Sequence, residues 1–282
     1  MKYADLHIHT NYSDGSFTPA EIVELAYKKG ITTIAITDHD NMVGISEAKK
    51  AANKYNIEII RGIEVSTSAC HQKMHILGYF CNPLAEPMRS VIRDIRDRRY
   101  QRIHAICDKL NILGIEINCE KEFQKSNLHS YERSQLAMIM KDLGYVKSIE
   151  EAFERYIGEG KPAFIDKWAP DPFDVVEMIH KAEGLAVLAH PGIIGDEIDE
   201  FLPKLIECGL DGIEVFYPMH TDQHTAFYRK ISTENTLVMT GGSDYHGNQS
   251  DSHIFGIFKI KNSYVEALKA RKNKKFPPRF LD

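Results

Sequence analysis

Met1-Lys-Tyr-Ala-Asp-Leu-His7-Ile-His9-Thr-Asn-Tyr-Ser-Asp14 opens the chain with two histidines two positions apart, near the end of a run that can form a strand. Alternate residues of a strand share a face, so both imidazoles point one way and Leu6 and Ile8 the other. Asp14 comes five residues after His9 and is followed by Gly15, a turn residue. Two imidazoles and a carboxylate meeting where a strand ends suit a divalent transition metal. Histidines at this spacing also occur on ordinary strand faces, so the stretch takes its meaning from what recurs downstream.

Outward from it, the chain alternates. Thr18 as N-cap, Pro19 at the first helical position and Glu21 as the capping-box partner predict a helix over 18–29, stopped at Gly30. Residues 33–37 are a continuous apolar run of the kind buried in parallel sheets, and they end in Asp38-His39-Asp40. A helix over about 44–55 and strands over 58–64 and 75–80 follow. This rhythm predicts an α/β fold with a parallel sheet or barrel.

From about residue 87 the pattern becomes helical, over 87–112, 132–143 and 149–157. We read 99–164 as a helical insertion between two barrel segments, 1–98 and 165–282. Its stretch 93–102 carries five arginines and two aspartates, expected as a solvated face with local ion pairs, with one or two arginines facing a phosphate as the alternative. The α/β rhythm then resumes. A helix starts at Asp171-Pro172 and ends at Gly184, and the strand 185–189 runs into His190. A helix over 196–208, a strand over 212–216 and a helix over 221–234 follow. The strand 236–240 leads into Gly241-Gly-Ser-Asp244-Tyr-His246, and a strand at 254–260 and a helix at 263–271 close the fold. The basic tail 271–279 is expected to be solvated.

With 282 residues, 43% hydrophobic, the chain can bury one large core plus an inserted subdomain. Its net charge of -5 disfavours non-specific binding to duplex DNA, so any nucleic-acid role needs a local site. Five scattered cysteines, with no Cys-x-x-Cys pair, suggest neither a disulfide framework nor a zinc ribbon. No apolar run approaches membrane-spanning length and the first residues lack a signal core, so the expectation is a cytoplasmic protein without membrane contact.

Metal-ligating residue types recur where the apolar strands end: His7 and His9, His39, Glu64, His190, Asp244 and His246, with Asp14 and His75 able to join them. In α/β barrels these ends share one rim, where active sites lie. Taken singly, each is explained as a rim histidine or a loop cap. The recurrence is what argues for a cluster. Asp38, Asp40 and Ser243 flank these residues and suit a role in orienting imidazoles. Glu214 and His220 are rim candidates for which packing or capping is an equal reading. His71, His104, His129, His180 and His253 lack the placement.

At these positions the sequence resembles a known family. His-x-His-Thr-x-x-Ser-Asp-Gly at 7–15, Thr-Asp-His-Asp at 37–40, Gly-Ile-Glu at 62–64, Ala-His-Pro at 189–191 and Gly-Ser-Asp-Tyr-His at 242–246 are similar to the motifs of the PHP (polymerase and histidinol phosphatase) superfamily. The nearest subgroup is the small bacterial phosphoesterases that act on nucleoside 3′,5′-bisphosphates or on the 5′ ends of short RNA. The resemblance implies a distorted (β/α)7 barrel holding three divalent metals, manganese, iron or zinc. It implies one metal on His7, His9, Glu64 and Asp244, a second on Glu64, His75 and His190, and a third on Asp14, His39 and His246. These nine residues would then be catalytic through the bound metals, which lower the pKa of a bound water towards about 7 and so supply hydroxide. Ser243 does not sit in a nucleophile-elbow pattern, so no covalent intermediate is expected.

Subgroup members carry Arg-x-His-x-Ala in the insertion as a phosphate contact. Here the stretch is Arg133-Ser-Gln135-Leu-Ala137, which keeps the arginine and replaces the histidine. Arg133, Gln135 and Lys161 are therefore the expected substrate contacts, Lys167 adding a weaker one. The expected substrate is a small phosphorylated nucleotide, with short RNA as a second substrate. Histidinol-phosphate phosphatase, an amidohydrolase and a non-catalytic metal-binding module are the rival readings.

Overall fold

The computed structural model describes residues 2–69, 72–125, 131–195, 198–247 and 254–277, with the Asp199 side chain set aside. His71, His129, His253, Cys70 and the end of the basic tail lie outside the described residues. The chain divides into two compact units, Met1–Ser90 with Pro170–Asp282, and Val91–Ala169.

The first unit is built on one eight-stranded mixed sheet. Its strands are β1 (Tyr3–Asp5), β2 (Thr33–Ile36), β3 (Glu58–Ala69), β4 (Gln72–Tyr79), β5 (Leu185–Leu188), β6 (Gly212–Phe216), β7 (Val238–Gly241) and β8 (Ile260–Lys261). The order is β7-β6-β5-β4-β3-β2-β1-β8. β1, β2 and β3 run parallel, as do β5, β6 and β7. Four residues of β2 and four of β5 are all buried, the composition that a sheet covered on both faces requires.

The parallel pattern is interrupted at β4, which is antiparallel to both β3 and β5. β3 runs on past Glu64 into a long hairpin, because Val65–Ala69 pair back with Gln72–Ile76. The chain therefore needs no crossover helix here. The reversal has a consequence for the site: His75, early in β4, lies opposite Ser66, late in β3. The last strand is also shorter than expected. Gly256, at φ 81°, turns the chain before it, leaving only Ile260–Lys261 paired, antiparallel to β1.

The ring closes where β1 and β7 end. Ile8 and Tyr245 form a parallel bridge, Leu6 N–H donates to Gly241 O, and Asp244 N–H donates to His7 O at 2.9 Å. Gly242 permits this approach, since a Cβ there would overlap the backbone nitrogen and Cβ of His7. Inside lie Leu6, Leu77, Tyr79, Leu185 and Val187, all fully buried, and the Tyr79 hydroxyl donates to Leu6 O at 2.9 Å.

Flanking helices are α1 (Pro19–Lys28) and α2 (Ile45–Tyr55). The Thr18/Glu21 capping box of α1 is present. α3 (Glu86–Ile112) crosses the division between units without a break. The second unit adds α4 (Cys119–Lys125), which the sequence pattern had not announced, α5 (Arg133–Asp142), α6 (Ile149–Ala152) and a π-helical turn over Phe153–Ile157. Its own core gathers Ile103, Ile106, Leu110, Phe123, Leu136 and Met140.

The arginine stretch of α3 is less solvated than expected. Arg99 and Arg102 are buried; Arg99 pairs with Glu132, and Arg102 Nε donates to Ile165 O at 2.9 Å. Back in the first unit, α7 (Pro172–Lys181) is capped by Asp171 as expected, and α8 (Ile198–Glu207), α9 (Asp222–Glu234) and α10 (Asn262–Lys275) complete the shell. Cys81, Cys107, Cys119 and Cys208 are free thiols.

Candidate metal centre

Glu64, 1% exposed, is the hub of the site. Its Oε1 lies 3.3 Å from His7 Nε2, 3.0 Å from His75 Nδ1 and 3.0 Å from His190 Nε2. Its Oε2 lies 3.2 Å from His9 Nε2 and 3.1 Å from His39 Nδ1. Five imidazoles thus surround one buried carboxylate. The barrel topology puts them there. His7 and His9 flank the bridging Ile8 after β1, His39 follows β2 and bridges to Glu64, and His190 follows β5. His75 arrives from the reversed strand β4, where Ala189 N–H donates to His75 O at 3.1 Å.

Beside the hub, Asp244 Oδ1 is 3.3 Å from His7 Nε2 and 3.1 Å from His9 Nε2. Asp14 Oδ1 lies 3.4 Å from His9 Nδ1 and 3.3 Å from His246 Nε2. Its Oδ2 is 3.7 Å from His39 Nε2. All nine residues expected from the sequence therefore meet in one cluster.

Burial alone would raise the Glu64 carboxyl, but His75, His39 and His7 hold it well below the usual range. Asp14 is held down likewise by His39 and His246, against its burial. Burial drives His39 down to about 3, against the pull of Glu64 and Asp14.

The donor set fits metal ions. Buried His7 Nε2, His9 Nε2, His39 Nδ1, Asp14 Oδ1 and Asp244 Oδ1 make no hydrogen bond, although oxygen and nitrogen neighbours stand within ionic reach. Lone pairs that converge without intervening protons are what cations would satisfy. Three overlapping groups of ligand atoms, each within 4.8 Å, result: His7, His9, Glu64 and Asp244; His9, Asp14, His39 and His246; and His39, Glu64 and His75.

A backing layer holds these side chains. Asp38 accepts from Thr10 N–H, Thr10 O–H and Ser13 O–H, each at 2.7 Å, and so fixes the loop between His9 and Asp14. Asp40 accepts from Ser66 N–H at 2.9 Å and steadies β3. Glu214, fully buried on β6, contacts His7 Nδ1 at 3.1 Å. His220 accepts from Gly192 N–H at 3.0 Å and so braces the turn after His190.

Two residues of this layer escaped the sequence reading. The Tyr217 hydroxyl donates to Asp244 Oδ2 at 3.0 Å. Asp5, pushed up to about 7 by burial, accepts from Ser243 N–H at 2.9 Å. A carboxylate inside a buried strand was the available signal for Asp5; nothing in the sequence marked Tyr217.

In the second unit, Arg133 donates to Ile157 O at 3.0 Å, and its guanidinium stacks 5.4 Å from Phe153 and 5.3 Å from Phe164. Gln135 is buried as the third residue of α5, where its Oε1 accepts from Glu132 N–H. Lys161 is exposed.

The PHP domain model matches residues 5–194. The chain is 32% identical over 249 residues to a 5′-3′ exoribonuclease of Haemophilus influenzae, covering 87% of this chain and 90% of that one. A phosphoribosyl 1,2-cyclic phosphate 1,2-diphosphodiesterase of Eggerthella lenta is 32% identical over 247 residues, covering 86% and 94%. A 3′,5′-nucleoside bisphosphate phosphatase of Chromobacterium violaceum is 30% identical over 280 residues, covering 96% and 98%. Among solved structures, one described as a metal-dependent phosphoesterase from Bifidobacterium adolescentis superposes with a TM-score of 0.84 at 26% identity, covering 95% of this chain and 96% of that one. With the family's motifs gathered on one barrel rim and its model matching most of the sequence, the chain belongs to the PHP domain family.

Proposed function

We propose that this metal-dependent phosphoesterase removes the 3′-phosphate of nucleoside 3′,5′-bisphosphates, with 5′-3′ cleavage of short RNA as a second activity. The observation that carries the reading is the Glu64 carboxylate, ringed by five imidazoles and flanked by Asp14 and Asp244. The nine side chains would hold up to three divalent ions, manganese, iron or zinc. Such ions, when bound, supply Lewis acidity and an activated water at neutral pH.

The protein's own contribution is placement. Glu64 serves more than one group, so ions held by it would be neighbours and could grip one phosphate. Six imidazoles and only three carboxylates make up the donor set, so three divalent ions would outweigh its negative charge and let the pocket take an anion although the chain is acidic overall. Asp14 and His246 complete the third group from loops after β1 and β7.

Arg133 is proposed as a phosphate contact and Lys161 as a weaker one. A second feature of the same unit favours a nucleotide over a small amino alcohol. Arg98, Arg99, Arg102 and Lys167 line one pocket with Asp166 and Trp168, and the Arg98 guanidinium stacks 4.1 Å from the indole. Arg99 and Arg102 are already engaged, by Glu132 and by Ile165 O, so the Arg98–Trp168 pair is the part of this pocket that supports a stacking ligand. Gln135, expected from the sequence as a substrate contact, is buried with its Oε1 engaged in the α5 capping box, so Arg133 and Lys161 are the contacts kept in the proposal. Free thiols and the absence, among the described residues, of any helix able to cross a membrane are compatible with a cytoplasmic setting.

The deciding experiment loads the protein with manganese and ranks kcat/KM for adenosine 3′,5′-bisphosphate, a 5′-phosphorylated short RNA, a cyclic ribose phosphate, histidinol phosphate and simple monophosphates. The bisphosphate should lead by at least about tenfold, the equivalent of one additional phosphate contact. A lead by histidinol phosphate or the cyclic phosphate would replace this reading.

A further inference from the structure

β6 supplies no atom to the three ligand groups, yet Glu214 at its centre is fully buried and reaches two of the ligand-bearing loops. Its Oε1 and Oε2 lie 3.1 and 3.2 Å from His7 Nδ1. Its Oε2 also accepts the main-chain N–H of His190 at 2.8 Å. The His7 contact is made on the side of the ring away from the cluster. The His7 nitrogen that faces Glu64 and Asp244 is Nε2.

A carboxylate against Nδ1 keeps the proton on that nitrogen and leaves Nε2 with its lone pair, the form a ligand must take. The second contact has its own purpose. His190 sits at φ 27° and ψ 53°, a backbone conformation that side-chain-bearing residues rarely adopt. The bond from its N–H to Glu214 holds that geometry, and with it the Nε2 that lies 3.0 Å from Glu64.

We infer that Glu214 is a positioning residue that fixes, with one carboxylate, the tautomer of His7 and the strained main chain of His190. It thereby ties together two metal positions that share Glu64. The inference rests on the cluster being a metal centre.

Glu214→Gln is the test, because it changes a single atom. In either orientation the amide brings an N–H against His7 Nδ1–H, and in one of them it also faces the His190 N–H; in the other a single oxygen must serve both donors. Zinc and manganese affinities are measured by chelator competition, and bound metal per chain by mass spectrometry. The affinity should fall about 10- to 100-fold in the positions served by His7 and His190, while the metal-free variant keeps the wild-type circular dichroism. Unchanged affinities at both positions would overturn the inference.

A second measurement does not depend on the Glu214 variant. In metal-free wild-type protein, at a pH high enough to leave the imidazole neutral, nitrogen-15 histidine spectra should show His7 protonated on Nδ1, with His7→Gln identifying the signal. His7 protonated on Nε2 would also overturn the inference. Wild-type protein that binds no metal but shows the Nδ1 form would leave the tautomer assignment standing and remove the metal reading instead.

Discussion

Asp14 shows how much one side chain can carry. It stands between His9, His39 and His246, three imidazoles from three different loops. Asp14→Ala should remove about one metal equivalent per chain and lower turnover about a thousandfold, as the loss of several kcal/mol of charge stabilisation implies. Metal content and single-substrate kinetics measured together decide it; full occupancy with unchanged turnover would exclude the ligand role. Tyr217 acts one step further out, through Asp244, which itself sits at φ 52°. Tyr217→Phe should weaken metal binding about tenfold without altering the fold, a split visible by comparing chelator competition with thermal melting.

Among elements, the join of α10 to the barrel rests on Asp211. This buried carboxylate accepts from Ala186 N–H, from Arg271 Nε at 3.2 Å and from Lys275 Nζ at 2.8 Å, and lies 2.9 Å from His180 Nε2. Burial would raise its pKa, but His180 and Lys275 lower it on balance. A carboxylate whose folded pKa is depressed stabilises above its unfolded pKa, near 4, and that contribution is lost as pH falls through the folded value. Asp211→Asn should therefore cost about 2 kcal/mol at pH 7, by leaving the half-buried Arg271 and Lys275 without their charged partner. Urea melts should show the gap between variant and wild type narrowing below about pH 4. Gly242 sets the other join. Gly242→Ala forces a Cβ into the His7 backbone, so it should lower the melting temperature and metal content together, because ring closure and ligand placement share that contact.

For the molecule as a whole, folding and metal loading are linked. The buried cluster gathers Glu64, Asp14 and Asp244 around groups that no protein hydrogen bond satisfies. Ions that bind only the folded state should stabilise it by about 2.7 kcal/mol per site at a hundredfold excess over Kd. Chelation should lower the melting temperature and readdition of manganese should restore it. A melting temperature indifferent to both would mean that the cluster is not a metal site.

The order of strands and helices in the barrel was readable, though α4 was not, because most elements carry a local signal: the Thr18/Glu21 cap, the apolar run at 33–37, the Asp171-Pro172 start. Seven side chains of the cluster were readable because ligand residue types stand out against the apolar strands they end, and Asp14 and His75 joined them as further candidates. Tertiary structure alone decided the reversal of β4, since a hairpin and a crossover strand have the same composition and differ only in the partner that takes their hydrogen bonds. It alone decided that five imidazoles share Glu64, that Arg99 and Arg102 are buried, and that Glu214 and Tyr217 stand behind the cluster. Local periodicity tells which face a residue takes. Which distant residue meets it there depends on closure of the ring, a long-range event that no short window of sequence contains.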